Sequence, residues 1–296
     1  MRPLLLALMT LPLACGHGAG AANPDGSTHT ASDGGTIAKS SKRGVAYDLA
    51  SANDLAALSS GVSWWYNWSP HPSTSAPTDF LARYSMDFVP MLWNGNFDAQ
   101  QIGAFLSAHA EVTSLLVLNE PELTDQANLT PQQAAALWPQ YEAIAQQHHV
   151  ALVGPAVTWG TMAGFEDPVK WLDAFYAAYR AANGGRDPQI DALAFHWYDY
   201  GLGGQLDRLA KYHKPFWVTE FANWHSQSDG AQIDTLAKQE AQLAEMVATC
   251  EARADVLRYA WFTGRRSPDP HFTSLLAGDG VLTGLGQRYR DAPFSQ

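Results

Sequence analysis

Short apolar stretches alternate along this chain with longer segments in which apolar residues recur at helical spacing. The short stretches are nearly continuous in aliphatic and aromatic residues, which is typical of strands buried on both faces. They predict eight strands, at residues 44–48, 63–68, 88–93, 115–120, 151–157, 192–198, 216–221 and 257–263. Helical patterns lie between them, most clearly at residues 98–110, 131–147, 168–182 and 232–252.

This alternation predicts a compact, single-domain (β/α)8 barrel. Two helix starts support it, because Thr130 precedes Pro131 and Asp167 precedes Pro168, and a capping residue followed by proline is a common way to begin a helix. The first two connections are short, so their helices are expected to be short or missing. A doubly wound open sheet is the alternative, but it usually carries a Gly-rich phosphate-binding turn after its first strand, and none is present.

The composition fits one such domain acting on a neutral ligand. The 296 residues are 46% hydrophobic, which is enough for one large core. The net charge of −11 argues against nucleic acid or an anionic membrane surface as a partner. The 11 Trp, 11 Tyr and 12 Phe serve core packing, but such a number also suits a groove that stacks against sugar rings.

The amino-terminal residues are expected to direct export. Residues 1–15 combine a basic start, an apolar stretch and Cys15, and they resemble a lipoprotein signal peptide with a lipid anchor at that cysteine. Cleavage by an ordinary signal peptidase near residues 19–21 is the alternative. Residues 16–42 are rich in small and polar residues and predict a flexible tether to a barrel at residues 43–296. Cys250 then stands alone and is expected to be a small core residue, not a disulfide partner or a catalytic thiol.

Aromatic, amide, imidazole and carboxylate side chains gather at the predicted carboxyl ends of the strands. In a barrel these ends meet at one mouth, where the chemistry of such folds lies. The candidate substrate-binding residues at these ends are Trp65, Tyr66, Asn67, Trp68, Trp93, Asn94, Asn119, Glu122, His196, Tyr198, Trp224 and Trp261.

Two glutamates are the candidate catalytic residues. Glu120 ends the fourth predicted strand and Glu220 ends the seventh. A charge at the tip of a buried strand requires a partner or a chemical role. Two carboxylates about 5–5.5 Å apart across the mouth are what a retaining glycosidase needs, one as nucleophile and one as acid and then base. No metal signature, no phosphate-binding loop and no Gly-x-Ser-x-Gly turn compete with this interpretation, so no metal and no cofactor are expected.

Four segments in this order resemble glycoside hydrolase family 128, within the retaining clan A. They are residues 63–69 (Ser-Trp-Trp-Tyr-Asn-Trp-Ser), 118–122 (Leu-Asn-Glu-Pro-Glu), 194–198 (Ala-Phe-His-Trp-Tyr) and 217–221 (Trp-Val-Thr-Glu-Phe). The resemblance covers roughly residues 43 to 265. It implies a compact barrel that cleaves β-1,3-glucan, with Glu120 as acid/base and Glu220 as nucleophile.

The neighbouring polar residues receive supporting roles. Asn119 is expected to donate its amide to the sugar 2-hydroxyl, with a turn-forming asparagine as the alternative. His196 and Tyr198 point to the same side of a strand. Tyr198 is expected to hydrogen-bond Glu220, and His196 to contact a sugar or a carboxylate unless it is only a core residue. Glu122 is the rival acid, but Pro121 interrupts the strand there, so support of Glu120 or contact with a sugar hydroxyl is favoured.

These observations together predict an exported, membrane-anchored or secreted, monomeric endo-β-1,3-glucanase. The two-carboxylate chemistry follows from the residues, whereas the linkage specificity follows only from the family resemblance. Two alternatives stay open. One is a clan A hydrolase that acts on another β-glucan, and the other is a glucan-binding protein without turnover.

Overall fold

The computed structural model describes residues 38–294, and the residues from Lys39 onward form one compact unit. The predicted signal peptide, Cys15 and most of the predicted tether lie outside the described residues, so export and lipid attachment stay predictions. The folded domain begins earlier than residue 43. The ammonium group of Lys39 donates to the carbonyl oxygens of Ser59 and Val62 at 2.9 and 2.8 Å, and Ser40 is buried.

Nine short parallel strands form one sheet. They are β1 (Arg43–Ala46), β2 (Trp64–Tyr66), β3 (Asp87–Phe88), β4 (Met91–Leu92), β5 (Ser114–Val117), β6 (Ala151–Val157), β7 (Ala192–Trp197), β8 (Phe216–Phe221) and β9 (Val256–Trp261). The order across the sheet is β3-β2-β1-β9-β8-β7-β6-β5-β4. A small antiparallel pair, β10 (Leu276–Gly278) and β11 (Val281–Leu282), follows.

The two ends of this order are consecutive pieces of one strand, so the sheet closes on itself. Val89 donates to the carbonyl oxygen of Trp65 on one side at 3.0 Å, and Leu116 donates to that of Pro90 on the other at 3.0 Å. Pro90 has no N–H to donate, which accounts for the break between β3 and β4. The result is the predicted eight-stranded barrel with its third strand divided, so that the predicted strands four, six, seven and eight are β5, β7, β8 and β9.

Helices cover the outside of the barrel. They are α1 (Ala52–Leu58), α2 (Phe80–Tyr84), α3 (Ala99–Ala108), α4 (Pro131–His148), α5 (Pro168–Ala182), α6 (Leu202–Leu209), α7 (Leu236–Ala252) and α8 (Gly284–Arg290), with a 3₁₀ turn at Ala210–Tyr212. The first two are short, as expected. Thr130 and Asp167 cap α4 and α5 as predicted. Within residues 38–294, no helix is long and apolar enough to cross a membrane.

The two faces of the strands pack into two separate hydrophobic clusters. The outer core packs between sheet and helices and includes Cys250, which is wholly buried as expected. The interior cluster fills the barrel and combines small alanines with a few large aromatic side chains, among them Trp64 and Trp217. Trp68, Trp93 and Phe262 lie partly exposed against this interior cluster. The polar residues of the mouth lie at the carboxyl ends of the strands.

Candidate active site

Glu120 and Glu220 meet at the mouth of the barrel. Glu120 follows β5 and Glu220 lies near the end of β8, and both side chains are largely buried. One carboxyl oxygen of each lies within 4.8 Å of the other. This short distance suits direct nucleophilic attack in a retaining mechanism and leaves no room for the water that an inverting enzyme holds between its carboxylate and the sugar.

A turn in the backbone at the end of β5 presents Glu120. Leu118 and Glu120 have φ angles of 56° and 46°, in the left-handed region that residues other than glycine rarely adopt. The Glu120 N–H donates to the carbonyl oxygen of Ala156 at the end of β6, at 2.8 Å. Backbone strain of this kind costs about 1–3 kcal/mol per residue and clusters at functional sites.

Glu220 accepts hydrogen bonds from three side chains. The Tyr66 hydroxyl and the Trp68 indole N–H donate to Oε1 at 3.0 and 2.7 Å. The Tyr198 hydroxyl donates to Oε2, as expected from the position of Tyr198 two residues after His196. Burial, and after it the negative charge of Glu220, raises the pKa of both tyrosines well above the usual range, so they stay protonated donors. Three donors directed at one carboxylate fix its orientation and form charge-assisted hydrogen bonds with it.

His196 lies between the two glutamates. Its Nδ1 is 2.9 Å from Oε1 of Glu120 and 3.6 Å from Oε2 of Glu220, and its Nε2 is 2.9 Å from the hydroxyl of Thr219. The ring is fully buried. Burial alone would lower the pKa of His196, but the charge of Glu220 and the hydrogen bond to Glu120 together raise it. His196 is therefore a carboxylate partner, one of the two contacts expected for it.

The environment of Glu120 differs from that of Glu220. Burial raises the pKa of Glu120 above its ordinary value, and the hydrogen bond with His196 opposes that rise only in part. A carboxyl group of this kind stays protonated at a pH at which an ordinary glutamate is ionised, which is what a general acid requires. The two carboxyl groups are thus prepared for different roles by their surroundings.

Glu120, His196 and Glu220 could in principle share a cation. Between residues 38 and 294 they are the only group of three or more His, Cys, Asp or Glu residues whose ligand atoms lie close enough for this. Tyr66, Trp68 and Tyr198 point N–H and O–H groups at Glu220. Hydrogen-bond donors directed at a carboxylate repel a cation from it. The donor set therefore fits an anionic nucleophile better than a metal ligand.

For two of the tryptophans, the prediction that they bind substrate at the mouth is wrong. Trp65 is wholly buried in the outer core, with its ring edge-to-face against Phe88 at 4.8 Å. Trp261 is wholly buried between Phe221 and Tyr289. Both side chains point away from the barrel interior because side chains alternate along a strand, and it is their neighbours that face inward.

Glu122 does not reach the mouth, which contradicts its prediction as a substrate-binding residue. Its side chain is wholly buried, and one carboxyl oxygen accepts the backbone N–H of Thr158. Burial raises the pKa of Glu122 well above the usual range. Gly160 packs against it so closely that a Cβ there would lie 2.5 Å from the Glu122 Cγ. A carboxyl group enclosed in this way cannot protonate a glycosidic oxygen.

Three other predicted binding residues have internal partners. Tyr66 is fully buried and bonds Glu220 instead of lining an open groove. The amide of Asn67 donates to Asp48 and to the carbonyl oxygen of His71. Asn94 accepts the N–H of Asn96 in a turn.

Asn119 keeps a free hydrogen-bonding atom beside Glu120. Its Nδ2 donates to Gln126 at 3.2 Å, while its buried Oδ1 has no partner among the described residues. The contact expected from the sequence, in which the Asn119 amide donates to the sugar 2-hydroxyl, stays a prediction, because in this structure Nδ2 donates to Gln126.

The remaining predicted aromatics do line the mouth. Trp68 and Trp93 are partly exposed above the interior cluster. Tyr198 stacks on Trp224 with ring centroids 4.1 Å apart, and Phe262 packs edge-on against both rings. Phe262 and Thr219 were not predicted. Phe262 could have been found from alternation, because Ala260 is a small residue that faces the interior and Phe262 lies two residues further on.

Comparison with known proteins places this geometry in a family. Residues 44–289 match the family model described as a glycosyl hydrolase catalytic core. The crystal structure of a family 128, subgroup II, endo-β-1,3-glucanase from Pseudomonas viridiflava is 63% identical in sequence, with a TM-score of 0.86 over 87% of this chain and 100% of that chain. The chain belongs to glycoside hydrolase family 128. It is therefore a glycoside hydrolase with the barrel that the strand pattern predicts.

More distant relatives extend the comparison. A family 128, subgroup I, endo-β-1,3-glucanase from Amycolatopsis mediterranei, crystallised with laminaritriose, is 30% identical with a TM-score of 0.64, over 86% of this chain and 100% of that one. Alkali-sensitive linkage protein 1 of Schizosaccharomyces pombe is 27% identical over 268 residues, which is 84% of this chain and 44% of that protein. The chain thus spans less than half the length of this curated relative.

Proposed function

We propose that this family 128 chain is a retaining endo-β-1,3-glucanase in which Glu120 is the acid/base and Glu220 the nucleophile. The observation that carries the proposal is the pair of buried carboxyl groups with oxygens within 4.8 Å of each other. One receives three hydrogen-bond donors and the other has a raised pKa. The related enzymes from P. viridiflava and A. mediterranei, which are endo-β-1,3-glucanases, support the choice of substrate.

The first half of the reaction forms a glycosyl-enzyme. A Glu220 carboxylate oxygen attacks the anomeric carbon while Glu120 donates its proton to the glycosidic oxygen, and the glycosidic bond breaks. The shortened glucan leaves with that proton. Glu220 becomes an ester and Glu120 a carboxylate. Nδ1 of His196, 2.9 Å from Glu120, can donate a hydrogen bond that stabilises the charge that Glu120 acquires.

The second half reverses the roles. Water enters where the leaving chain was, Glu120 removes its proton, and the oxygen attacks the anomeric carbon. The ester bond to Glu220 breaks and the carboxylate returns to its three donors. Two inversions at one carbon leave the product in the β configuration.

The aromatic residues of the mouth suit a curved chain. Trp68, Trp93, Trp224 and Phe262 come from the ends of four different barrel strands, and Trp68 and Trp224 both pack edge-on against Phe262. A β-1,3-glucan curves, whereas a β-1,4-glucan is a flat ribbon that requires platforms in one line. A ring of aromatic faces therefore favours the β-1,3 linkage.

The test is a digestion panel combined with NMR of the first-formed anomer. We expect reducing ends to appear fastest from linear β-1,3-glucan, well ahead of cellulose and mixed-linkage glucan, with oligosaccharides of several lengths as early products. The new reducing end should be β before mutarotation. Faster cleavage of cellulose would refute the linkage, and an α product would refute the two-carboxylate mechanism. Binding of β-1,3-glucan without any cleavage would favour the alternative of a glucan-binding protein.

A further inference from the structure

A bulge in β8 brings Thr219 into the active site. The pairing with β7 joins Val218 to Phe195 and Glu220 to His196, so Thr219 is an extra residue without a partner on that strand. A bulge of this kind redirects a side chain, and bulges are frequent beside active sites. Thr219 and Glu220 are adjacent, yet both face the barrel interior, where Thr219 is only 1% exposed.

Thr219, His196 and Glu120 form a buried hydrogen-bonded chain. The Thr219 hydroxyl lies 2.9 Å from Nε2 of the ring, and the other ring nitrogen, Nδ1, lies 2.9 Å from the Glu120 carboxyl group. Within residues 38–294, Nε2 is the only hydrogen-bond partner of this hydroxyl. The hydroxyl proton therefore has one acceptor available, the lone pair of Nε2.

The available hydrogen-bond donors and acceptors determine which ring nitrogen of His196 carries the proton. If Nε2 carried a proton, it would donate to the Thr219 oxygen, and the Thr219 proton would be a buried donor without an acceptor, which is costly. If Thr219 donates to Nε2, both groups are satisfied and the ring proton lies on Nδ1. An N–H at Nδ1 can donate to Glu120 but cannot accept a proton from it.

The neighbouring charges oppose this arrangement. The titratable groups that act on the ring are Glu220 and Glu120. Tyr66 and Tyr198 lie beside these two glutamates, Asp125 acts on Glu120, and Glu120 in turn acts on Glu122. Glu220 favours a positively charged imidazolium. That cation would form by taking the proton that Glu120 needs for the leaving group. Among the groups that touch the ring, Thr219 is the one that favours the neutral form.

We propose that Thr219 is a positioning residue that holds His196 neutral with its proton on Nδ1, so that Glu120 keeps its acid proton for the glycosidic oxygen. The inference rests on the proposed role of Glu120 as the acid. It assigns Thr219 no contact with the substrate, only control of the proton between His196 and Glu120.

The test compares Thr219→Val, which keeps the shape without the hydroxyl, with Thr219→Ser, which keeps the hydroxyl. We expect Thr219→Val to lower kcat on β-1,3-glucan on the order of tenfold with little change in KM. The basic limb of its pH profile should move to lower pH. Cleavage of an aryl glucoside with a good leaving group should change much less in its first step.

Thr219→Ser should restore the wild-type pH profile. Thr273→Val is the matched control, because Thr273 is also buried but its hydroxyl bonds Asp269 instead of the ring.

A direct readout is the ¹⁵N NMR spectrum of His196, which separates protonated from unprotonated ring nitrogens. We expect wild type to carry its proton on Nδ1, and Thr219→Val to show protonation at Nε2. A wild-type ring protonated at Nε2, or a folded Thr219→Val with the pH profile of Thr273→Val, would overturn the inference. Glu120→Gln is measured in parallel. If it lacks a leaving-group effect, the proposed acid is wrong, whatever Thr219 does.

Discussion

At the scale of single residues, the surroundings of the two catalytic carboxyl groups differ more than the groups themselves. Glu220 accepts hydrogen bonds from three donors, which come from β2, from the loop that follows β2 and from the end of β7. Glu120 has one ring nitrogen and is otherwise desolvated. Donors favour an anion and desolvation favours a neutral acid, so each glutamate is prepared for a different step.

Replacement of the two glutamates should separate these steps. Glu120→Gln should lower turnover of β-1,3-glucan about 10²–10⁴-fold, because the leaving oxygen then receives no proton. It should lose less in the first step on a dinitrophenyl glycoside, whose leaving group needs none. Glu220→Gln should be inactive on both. Rate measurements on the two substrates decide it, and added azide should rescue only Glu120→Gln, giving a β-glycosyl azide. If Glu122→Gln behaved in this way instead, the acid would be Glu122.

The enclosed carboxyl group of Glu122 should make stability depend on pH. Its pKa is well above the value of about 4.3 expected in the unfolded chain, so the folded state holds the proton more tightly. The stability from this proton is complete below about pH 4.3 and is lost as the pH rises through the folded-state pKa. Glu122→Gln keeps the acceptor for the Thr158 N–H and removes the titration.

We therefore expect the free energy of unfolding of Glu122→Gln to rise relative to wild type between about pH 4.5 and pH 8. Urea denaturation at several pH values measures it. Glu245→Gln, at an exposed position on α7, is the control and should follow the wild-type curve. An unchanged difference between Glu122→Gln and wild type across this range would mean that Glu122 is not held neutral.

At the scale of elements, the sequence predicts those features that depend on periodicity and chain breaks. The eight strands, the capped starts of α4 and α5 and the short first helices are all present. These features follow from apolar runs and from Thr-Pro and Asp-Pro pairs, which act locally. The division of the third strand also has a local cause in Pro90, although the prediction treats residues 88–93 as one strand.

It is harder to predict whether an individual side chain points into the barrel or out toward the helices. In β2 and β9 every residue near the mouth is aromatic or apolar, and both faces of a barrel strand are buried. Trp65 and Trp261 therefore look no different in sequence from Trp68 and Trp93. Only their register in the barrel sends the first two outward.

The bulge in β8 is beyond sequence reasoning of this kind. Strict alternation would place Thr219 on the opposite face from Glu220. The extra residue becomes visible only when the pairing with β7 is known. Thr219 was missed for this reason, and so was the hydrogen-bonded chain through His196. By contrast, Tyr198 lies two residues after His196 with no bulge between them, and its contact with Glu220 could be predicted.

At the scale of the whole molecule, Arg43 joins the start of the barrel to its end. The side chain is only 1% exposed. It donates to the Tyr259 hydroxyl at 2.9 Å and to four backbone carbonyl oxygens between residues 289 and 293 at 2.8 to 3.0 Å. Glu251 on α7 lies 3.5 Å away and balances the charge. β1, β9, α7 and the carboxyl-terminal segment are thus held together at the end of the barrel opposite the mouth.

Arg43→Lys should test this closure without touching the chemistry. Lysine keeps the charge but has three donors on one atom, so several of the buried oxygens lose their partner. Each buried polar group left without a partner costs about 1–3 kcal/mol. We expect a loss of about 2–4 kcal/mol in the free energy of unfolding, measured by denaturation, with kcat per folded molecule unchanged.

Arg180→Lys is the control, because Arg180 pairs with Asp187 at an exposed site, where such pairs contribute at most about 1 kcal/mol. Equal losses in the two variants would mean that the barrel is closed by strand pairing and packing, with Arg43 contributing no more than a surface ion pair.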